Sequence, residues 1–294
     1  MDRIQKNVVC HAPWLLSDRR FLELRWEMVK GRPIDLDNPK TFDEKLQWLK
    51  LYDHNPLYHF LADKYEAKIY ASRIIGEEHI IPTLGVYRKV SDIVWEDLPE
   101  KFILKCTHDS GGLVVCRDRK SFDRKTAEKV LAKSLRHNYY FNSREWCYKD
   151  IRPAVICERL MEDETQKKML VDYKFFCFSG KPEFLYISVG LDDHSTASIS
   201  FFDLEGKRLP FRREDFKEIE QGFILPNNFN DMKEIASKLA EDLHNPFVRI
   251  DLYSIGGQVY FSEYTFYPNG GYLPFSPDDW DWRIGQLLSL PESK

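Results

Sequence analysis

The chain has 294 residues, which is long enough for one large domain or two smaller ones. Its hydrophobic fraction of 43% and charged fraction of 31% are typical of a packed globular protein with a solvated surface. The net charge of −4 lacks the basic excess that nucleic-acid binding requires, so we expect no nucleic-acid partner. No run of eighteen apolar residues occurs, and we expect no transmembrane segment.

The cysteines and the N-terminus indicate the compartment. Six cysteines are scattered along the chain without a CxxC pair, a pattern typical of reduced thiols in an apolar core. The first residues, Met1–Lys6, lack the apolar core of a signal peptide. We therefore expect a cytoplasmic protein. Peripheral contact with the inner face of the membrane stays open, as does the oligomeric state.

The region 1–79 is predicted to be mostly helical. Apolar spacing and capping residues predict three helices: from a cap at Ser17 or Asp18 to Lys30, from Thr41 to Leu51, and from Leu61 to Ile75. The second helix opens with a capping-box pattern, Thr41-Phe-Asp-Glu44. The region has no glycine-rich βαβ turn, so it is not a Rossmann nucleotide-binding unit.

Short apolar strands begin near Ile80. The patterns predict strands over 80–87, 101–107 and 113–116. The last two are joined by the loop His108-Asp-Ser-Gly-Gly112, and Lys105 stands at its entrance. The backbone N–H groups of such a loop can bind phosphates, although the Walker pattern is absent. An ordinary hairpin turn is the competing interpretation.

The next region carries a lysine inside an apolar strand. Strands over 172–178 and 183–189 are predicted to form a hairpin, with Lys174 in the middle of the first. A lysine in such a strand is costly unless it meets an anion. The alternatives are a snorkelling side chain and an ion pair with Asp172. A further hairpin over 198–211 and an amphipathic helix over 231–244 follow.

The stretch Val248–Thr265 is predicted to form a β-hairpin around two glycines, with one carboxylate on each arm. A two-residue loop would put Asp251 and Glu263 on opposite faces. We favour a three-residue loop, Gly256–Gln258, because it pairs the two carboxylates on one face and keeps Glu263 off an apolar face.

Paired carboxylates repel each other unless a cation lies between them, and their hard oxygen ligands suit Mg²⁺. The sequence therefore predicts a magnesium site on the hairpin. The alternative is a cross-strand ion pair between Arg249 and Glu263 on a solvated sheet. The hairpin alone leaves both interpretations open.

The order of these features resembles a known family. A lysine-bearing strand with a glycine loop, a strand ending in Glu, a second strand-borne lysine, a helix, Arg-x-Asp and Glu-x-Thr follow one another as in ATP-grasp ligases. Five segments resemble the teichuronopeptide-biosynthesis (TupA-like) ATP-grasp family: Thr41–Lys50, Asp63–Lys64, Leu98–Lys105, Asp172–Phe178 and Glu263–Pro268. The resemblance extends over about residues 39–275.

The resemblance implies an α+β fold, the ATP-grasp fold, in which two subdomains with antiparallel sheets grip ATP. We expect the helical region 1–79 to precede a small subdomain over 80–157 that carries the glycine-bearing phosphate loop. A large subdomain over 158–294 would carry the metal-binding hairpin.

The resemblance also implies roles for the residues at matching positions. Lys105 and Lys174 would hold the ATP phosphates, and Arg249 would stabilise the γ-phosphate during transfer. Three sets would complete the ATP site: His108, Ser110, Gly111 and Gly112 in the loop; Glu158, Arg159 and Leu160 at the adenine hinge; and Glu162 or Glu164 at the ribose.

The implied metal site uses Asp251 and Glu263 to join a pair of Mg²⁺ ions to the phosphates. Many ATP-grasp enzymes carry Asn where this chain has Thr265. A hydroxyl is a poorer ligand, so Asn269 is the alternative third ligand. His108 and His194 are candidates for proton transfer, or else ordinary loop or core histidines.

The implied reaction joins a carboxylate to an amine. The carboxylate takes the γ-phosphate of ATP, which gives an acyl phosphate and ADP, and the amine then displaces phosphate. The family context points to a uronic-acid carboxyl in cell-surface polysaccharide biosynthesis, of a capsule or a teichuronopeptide. The aromatic residues Tyr139, Tyr140, Phe141 and Trp146 would stack on sugars or pack in the core.

Other functions fit the same residues. One is an ATP-dependent kinase that phosphorylates a sugar or glycan hydroxyl. Another is a metal-dependent glycosyltransferase, although a compact DxD motif is missing from the carboxylate hairpin. A third is an ATP-grasp-like binding protein without turnover.

Overall fold

The computed structural model describes residues 2–162, 171–190 and 197–292. Its N-terminal part is helical, as expected, with α1 (Arg3–His11), α2 (Asp18–Lys30), α3 (Phe42–Tyr52), α4 (Leu57–Ala62) and α5 (Lys64–Ile75). In the described part of the chain, every helix is too short or too polar to cross a bilayer.

Local sequence signals set the ends of α2 and α3. The Ser17 hydroxyl accepts a hydrogen bond from the first turn of α2, and Gly31 ends that helix with a φ of 69°, where a residue without Cβ is not strained. Thr41 and Glu44 form the capping box of α3, in which the Glu44 carboxylate accepts the Thr41 N–H at 3.1 Å. The predicted boundaries of these two helices are confirmed.

The prediction of one helix from Leu61 to Ile75 is wrong, because Asp63 divides it. The Asp63 backbone is extended, with φ of −72° and ψ of 119°. Its carboxylate accepts the N–H groups of Tyr65 at 2.8 Å and Glu66 at 3.1 Å, so Asp63 is the N-cap of α5. The apolar periodicity continues through this break, which is why it concealed the cap.

The first sheet is antiparallel and lies in the middle of the sequence. Its strands run in the order β1-β4-β2-β3, and they are β1 (Thr83–Tyr87), β2 (Phe102–Cys106), β3 (Leu113–Cys116) and β4 (Val155–Arg159). Helix α6 (Arg124–Leu135) packs on this sheet through Ala127 and Leu131, against Leu104 and Cys157. The short helix α7 (Tyr140–Ser143) follows it.

The second sheet is also antiparallel and forms the larger core. Its order is β10-β9-β5-β6-β7, and its strands are β5 (Val171–Phe178), β6 (Lys181–Val189), β7 (Ser198–Phe202), β9 (Phe247–Ile255) and β10 (Gln258–Thr265). The small strands β8 (Arg212–Arg213) and β11 (Phe275–Ser276) pair with each other. Two more helices flank the second sheet, α8 (Phe229–Leu243) and α9 (Asp279–Gly285).

Side chains alternate across β5, so its two faces have different neighbours. Phe175 packs on Phe229 of α8, with ring centroids 6.1 Å apart. Phe176 faces the other way and packs near Phe42 of α3 at 6.2 Å. Lys174 shares this second face and lines an open cleft. One face of the sheet is therefore covered by α8, while the other carries α3 at one end and the cleft at the other.

The β9–β10 hairpin has the predicted pairing but not the predicted loop. Gln258 pairs with Ile255 across a two-residue turn, Gly256-Gly257, in which both glycines have positive φ. A β-bulge at Ser262 then shifts the register, so that Glu263 lies opposite Asp251. The three-residue loop is wrong, and the bulge supplies the extra residue that we had assigned to it.

The predicted hairpin over 198–211 is only partly formed. Strand β7 pairs with β6 along its length. Beyond the turn, Arg208 makes one isolated bridge to Phe202, and the chain then leaves the sheet. The predicted helix over 231–244 is confirmed as α8, which begins slightly earlier, at Phe229.

Replacing the cap of α5 tests the division of this helical segment. We expect Asp63→Ala to lower the free energy of unfolding by about 1–2 kcal/mol, because two N–H groups lose their acceptor. Asp63→Asn is the matched control, and it should lose much less because asparagine also caps helices. Urea unfolding measures both variants. Equal losses in the two would contradict the capping role.

Candidate active site

A polar cleft of about 640 Å³ is lined by residues from both sheets and from the N-terminal helices. From the first sheet and its loop come Lys105 and Asp109–Leu113, and from the second sheet come Lys174, Arg249 and Glu263. Helix α5 approaches both sheets, since the N–H of Lys64 donates to the carbonyl of Thr107 at 3.0 Å and Tyr70 contacts the ring of Tyr264. The strand-borne residues are thereby brought together around one space.

The centre of the second sheet holds a buried cluster of charges. Lys174 and Asp251 lie directly opposite each other on β5 and β9, and the lysine Nζ is 2.6 Å from the Asp251 carboxylate. Arg249, on the same strand and face as Asp251, donates to both of its oxygens, at 2.6 and 2.7 Å. Asp172 accepts a weaker contact from Lys174 at 3.1 Å. The bidentate arginine contact sets the guanidinium plane.

These contacts keep the cluster ionised at neutral pH. Burial alone would raise the pKa of Asp251, but the charges of Arg249 and Lys174 outweigh burial and lower it. Burial alone would lower the pKa of Lys174, but Asp172 and Asp251 hold it well above the usual lysine range. Asp251 itself is fully buried beneath the two cations. The ion pair that we had considered for Lys174 is present, and it includes Asp251.

Glu263 and Thr265 lie at the edge of this cluster. The Glu263 side chain is 36% exposed and lies 3.6 Å from the Arg249 guanidinium. The Thr265 hydroxyl accepts from Arg249 at 3.0 Å and donates to Glu263 at 3.4 Å. Arg249 also donates to the Tyr186 hydroxyl at 3.1 Å. The Arg249–Glu263 contact that we had considered exists, although it lines a cleft and not a solvated sheet.

The carboxylates fit Mg²⁺ by donor chemistry. Glu263 lines the cleft and offers a hard oxygen ligand there. Asp251 pairs with it across the hairpin, but both Asp251 oxygens contact Arg249 or Lys174 and Asp251 lies outside the described cleft lining. No group of three or more His, Cys, Asp or Glu placed to hold a metal occurs in residues 2–162, 171–190 and 197–292. Mg²⁺ is usually bound by one or two carboxylates with water and substrate phosphates, so a pair is a sufficient protein contribution. Asn269 lines the same cleft.

The glycine-bearing loop is held by an aspartate that sequence reasoning passed over. One Asp109 oxygen accepts the N–H groups of Gly111 at 3.3 Å and Gly112 at 3.1 Å. The other oxygen accepts the Ser134 hydroxyl of α6. A Cβ on Gly112 would lie 2.4 Å from that hydroxyl, so this position needs glycine. Ser110, Gly111 and Gly112 line the cleft as expected.

His108 belongs to the loop but points away from the cleft. Its Nε2 lies 3.2 Å from the carbonyls of Ser134 and His137, so the ring packs on the end of α6. It is buried and is absent from the described cleft lining. This placement is that of the ordinary loop histidine, the alternative we had kept open. His194 lies outside the described residues.

Two of the three predicted hinge residues belong to a strand of the first sheet. Glu158 and Arg159 are the last residues of β4, and Leu160 follows the strand. The buried Glu158 carboxylate pairs with Lys105 at 2.8 Å and with Lys68 of α5. Burial alone would raise the pKa of Glu158, but the two lysines lower it to about 2. The Glu158 side chain thus positions two cations.

The two predicted ribose residues are Glu162 and Glu164. Glu162 pairs with Lys101 at 2.6 Å and lies away from the described cleft lining. Glu164 lies outside the described residues. Of the aromatic stretch, Tyr139 lines the cleft and Tyr140 is buried. Trp146 stacks on His54, with ring centroids 4.8 Å apart, which favours core packing for that residue.

Sequence reasoning gave no role to several residues of the site. Lys64 lines the cleft and donates to the Asp109 carbonyl, and Lys68 reaches Glu158. The Asp63-Lys64 segment was noted for its resemblance, and Lys68 follows one helical turn later on α5. This spacing on one helix face was the available signal. Nothing in the sequence pattern pointed to Arg25 or Glu145, which line the helical end of the cleft.

Sequence comparison identifies the family to which these sheets and this charged cleft belong. The sequence profile of the TupA-like ATP-grasp family matches residues 44–289. The match extends over most of the chain, and the chain belongs to the TupA-like ATP-grasp family. The chain therefore has an ATP-grasp fold with antiparallel sheets, together with a helical N-terminal region whose first part lies before the matched residues.

Solved structures resemble the chain more distantly. D-cycloserine synthetase DcsG is 17% identical, with a TM-score of 0.43, and the match covers 79% of this chain and 70% of that one. D-alanine–D-alanine ligase from Helicobacter pylori is 20% identical, with a TM-score of 0.39 and coverages of 78% and 61%.

A third structure is the ATP-grasp ligase PsnB, complexed with a phosphomimetic variant of its minimal precursor, Mg and ADP. It is 11% identical, with a TM-score of 0.43 and coverages of 90% of this chain and 65% of that one. The chain thus spans less than two thirds of the D-alanine–D-alanine ligase and of PsnB. No curated protein gives a significant match.

The Glu158 ion pairs predict a pH-dependent stability. Because the folded pKa of about 2 lies below the ordinary 4.5, the stabilisation is complete above pH 4.5 and is lost as pH falls towards 2. We expect Glu158→Gln to lower the free energy of unfolding by about 3 kcal/mol at pH 7. The difference in the free energy of unfolding between Glu158→Gln and the wild type should become smaller below pH 4.5.

Urea unfolding at pH 7, 5, 4 and 3 measures this effect. Glu162→Gln is the control, since its partner Lys101 is half exposed and the pair should contribute less than about 1 kcal/mol. A Glu158→Gln difference that stays constant down to pH 3 would contradict the assignment.

Proposed function

We propose that the protein is an ATP- and Mg²⁺-dependent carboxylate–amine ligase that acts through an acyl phosphate. One observation carries the proposal: Lys105, Lys174, Arg249 and Glu263 line a single cleft together with a glycine-bearing loop, and Asp251 lies buried beneath two of these cations. Such a cleft neutralises a triphosphate with fixed cations and offers carboxylates to its metal ion. Membership of the ATP-grasp family supports the same assignment.

The cations divide between the two sheets. Lys105, held by Glu158, would meet the phosphates from the first sheet, and Lys174 from the second. The loop Ser110–Gly112 would close over the phosphates, and Asp109 holds it in shape by accepting the N–H groups of Gly111 and Gly112. Arg249, clamped on Asp251, faces the cleft next to Glu263 and would stabilise charge on the transferred phosphoryl group.

Glu263 would hold Mg²⁺ at the cleft wall, with Thr265 or Asn269 as a further contact. Asp251 would join it only where the ion replaces Lys174 or Arg249 at one of its oxygens. The ion supplies charge neutralisation of the phosphates when bound. Thr265 already has a second use, because its hydroxyl accepts from Arg249 and so positions that guanidinium. The Asn269 side-chain NH₂ donates to the Tyr272 carbonyl at 2.7 Å, which leaves its amide oxygen available as a metal ligand.

The proposed chemistry needs no covalent enzyme intermediate. A substrate carboxylate oxygen attacks the γ-phosphorus, and the bond to the ADP oxygen breaks. The amine then attacks the acyl carbon, loses a proton, and expels inorganic phosphate. The side chains of this chain position the reactants, neutralise charge and exclude water.

The acceptor class is a finer proposal. We assign the carboxylate to a uronic acid of a sugar nucleotide or lipid-linked glycan and the amine to an amino acid, in cytoplasmic steps of cell-surface polysaccharide assembly. The support is the TupA-like subfamily within the ATP-grasp group. Tyr139, at the cleft wall, offers one aromatic surface for a sugar ring.

The proposal is tested by ADP release with Mg-ATP. Pools of uronic-acid sugar nucleotides and amino acids serve as substrates, and mass spectrometry identifies the product. We expect ADP release to need both a carboxylate and an amine, with a product lighter than their sum by one water. A product heavier by one phosphate would make the protein a kinase, and release of the nucleoside diphosphate of the sugar would make it a glycosyltransferase.

Glu263→Gln separates catalysis from folding. Glu263 is partly exposed, so its loss should change the free energy of unfolding by less than about 1 kcal/mol. We expect ADP formation to fall at least about 100-fold and to need more Mg²⁺. Asp123→Asn, at the cap of α6, is the control and should retain activity. Wild-type turnover in Glu263→Gln would exclude Glu263 from the metal site.

Asp251→Asn is expected to behave differently. Asp251 is fully buried between two cations, so removing its charge should lower the free energy of unfolding by about 3 kcal/mol or more. Loss of activity in this variant has to be compared with its urea midpoint. A stable but inactive Asp251→Asn would show that the cations do not depend on this carboxylate for their burial.

A further inference from the structure

The cationic side chains that line the cleft differ in whether the protein gives them partners. Five of the six in the described lining contact a carboxylate or a carbonyl of the protein. These five are Lys64 with Asp109, Lys105 with Glu158, Lys174 with Asp172 and Asp251, Arg213 with Asp215, and Arg249 with Asp251. The sixth is Arg25 of α2, whose buried Nε has no hydrogen-bond partner among the described residues.

Two tyrosine hydroxyls at the same end of the cleft share this property. The hydroxyl oxygens of Tyr267 and Tyr272 are buried and have no hydrogen-bond partner in the described part of the chain. Both residues line the cleft, and Tyr267 is 3% exposed. Burial raises the pKa of both phenols, so both stay protonated and can donate. Three buried donors without acceptors point to an acceptor-rich ligand group.

This end of the cleft is built to keep its shape. The Lys50 ammonium donates to Gln47 at 2.9 Å, to the Ser143 carbonyl at 2.9 Å and to the Gly270 carbonyl at 2.6 Å. Its three protons are thereby used, so Lys50 ties two loops together and is not left to bind a ligand. Lys50 Nζ also lies 5.9 Å from the ring centre of Tyr267 and 5.3 Å from that of Tyr272, so it helps to hold both residues in the cleft wall.

A carboxylate stands in the same space. Glu145 lines the cleft, is buried, and accepts the Ser143 hydroxyl at 2.5 Å. None of the ion pairs between described residues includes Glu145. Burial raises the pKa of Glu145 and outweighs the opposing effect of the Lys50 charge. A buried carboxylate of this kind is stabilised by a cationic group. A Cβ added to Gly270, which lies between Tyr267 and Tyr272 in the chain, would be 3.6 Å from Glu145 Oε1, so Glu145 lies beside the segment that carries both tyrosines.

We infer that the helical end of the cleft is an amino-acid subsite, with the amino-acid carboxylate held by Arg25, Tyr267 and Tyr272 and its ammonium held by Glu145. This inference rests on the proposed ligase function and names the residues that select its amine substrate. Tyr267 and Tyr272 follow Thr265 closely in the chain, so the subsite adjoins the carboxylate hairpin. The N-terminal helices thus contribute Arg25 to substrate recognition.

Binding to the whole protein tests the inference independently of turnover. Saturation-transfer NMR is recorded with each common L-amino acid, with D-alanine and with D-glutamate. The probes for each functional group are the α-amide, which lacks the carboxylate, and the matching carboxylic acid without the amine. We expect at least one amino acid to bind, and to bind about 10- to 100-fold more tightly than either analogue. Failure of every amino acid to bind would overturn the inference.

Two reciprocal variants identify the residues. Arg25→Gln should weaken the amino acid and the amine-free acid about 10- to 100-fold while leaving the α-amide unchanged. Glu145→Gln should weaken the amino acid and the α-amide and leave the amine-free acid unchanged. Arg20→Gln, on the surface of the same helix, is the matched control. Wild-type affinities in both cleft variants would overturn the assignment.

The two proposals fail in different ways. ADP release that is equally fast with simple amines and with amino acids would overturn the subsite and keep the ligase. Amino-acid binding that depends on Arg25 and Glu145, without ADP release from any carboxylate, would support the subsite and overturn the ligase. Unchanged ADP binding in Arg25→Gln shows that the variant is folded.

Discussion

The site depends on one buried carboxylate, Asp251, and on the two cations that cover it. A carboxylate with no exposed surface is unstable unless opposite charges and hydrogen bonds compensate for lost hydration. Lys174 faces Asp251 across neighbouring strands, and Arg249 grips it from two residues earlier on the same strand. Asp251 is the carboxylate that both cations share, and Lys174 has Asp172 as a second partner. The register of β5 against β9 therefore fixes the position of the positive charge.

The cluster of Arg249, Asp251 and Lys174 also contacts the neighbouring strands. Arg249 also contacts Tyr186 on β6 and Thr265 on the edge strand β10, so one guanidinium on β9 contacts strands on both sides of it. The bulge at Ser262 rotates Glu263 onto the face of Asp251. The first sheet repeats the principle, because Glu158 there holds Lys68 and Lys105. Buried carboxylates thus preorganise cations on both sides of the cleft, which reduces the reorganisation needed when charge develops.

The two ends of the cleft differ in how their polar groups are satisfied. At the strand-built end the lysines already pair with protein carboxylates, Lys105 with Glu158 and Lys174 with Asp251. A bound phosphate would compete with these carboxylates for the lysine ammonium groups. At the helix-built end Arg25, Tyr267 and Tyr272 keep buried donor atoms that have no acceptor among residues 2–162, 171–190 and 197–292. The helices α2 and α3 complete this second end, because Lys50 and Gln47 of α3 bind the carbonyls around Gly270. The N-terminal helices are therefore part of the site and not an appendage to it.

The sequence by itself determined the local structure and the residue types of the site. Caps at Ser17 and Thr41 and the alternation along β5 are decided within a few residues, so they were readable, as was the family pattern of lysines and carboxylates. Tertiary structure decided the rest. The β9–β10 hairpin has a two-residue turn and a bulge where we had expected a three-residue loop. The His108 ring packs on the end of α6, and the Glu158 carboxylate pairs with Lys68. These outcomes depend on contacts between segments far apart in sequence, whose energies no local pattern contains.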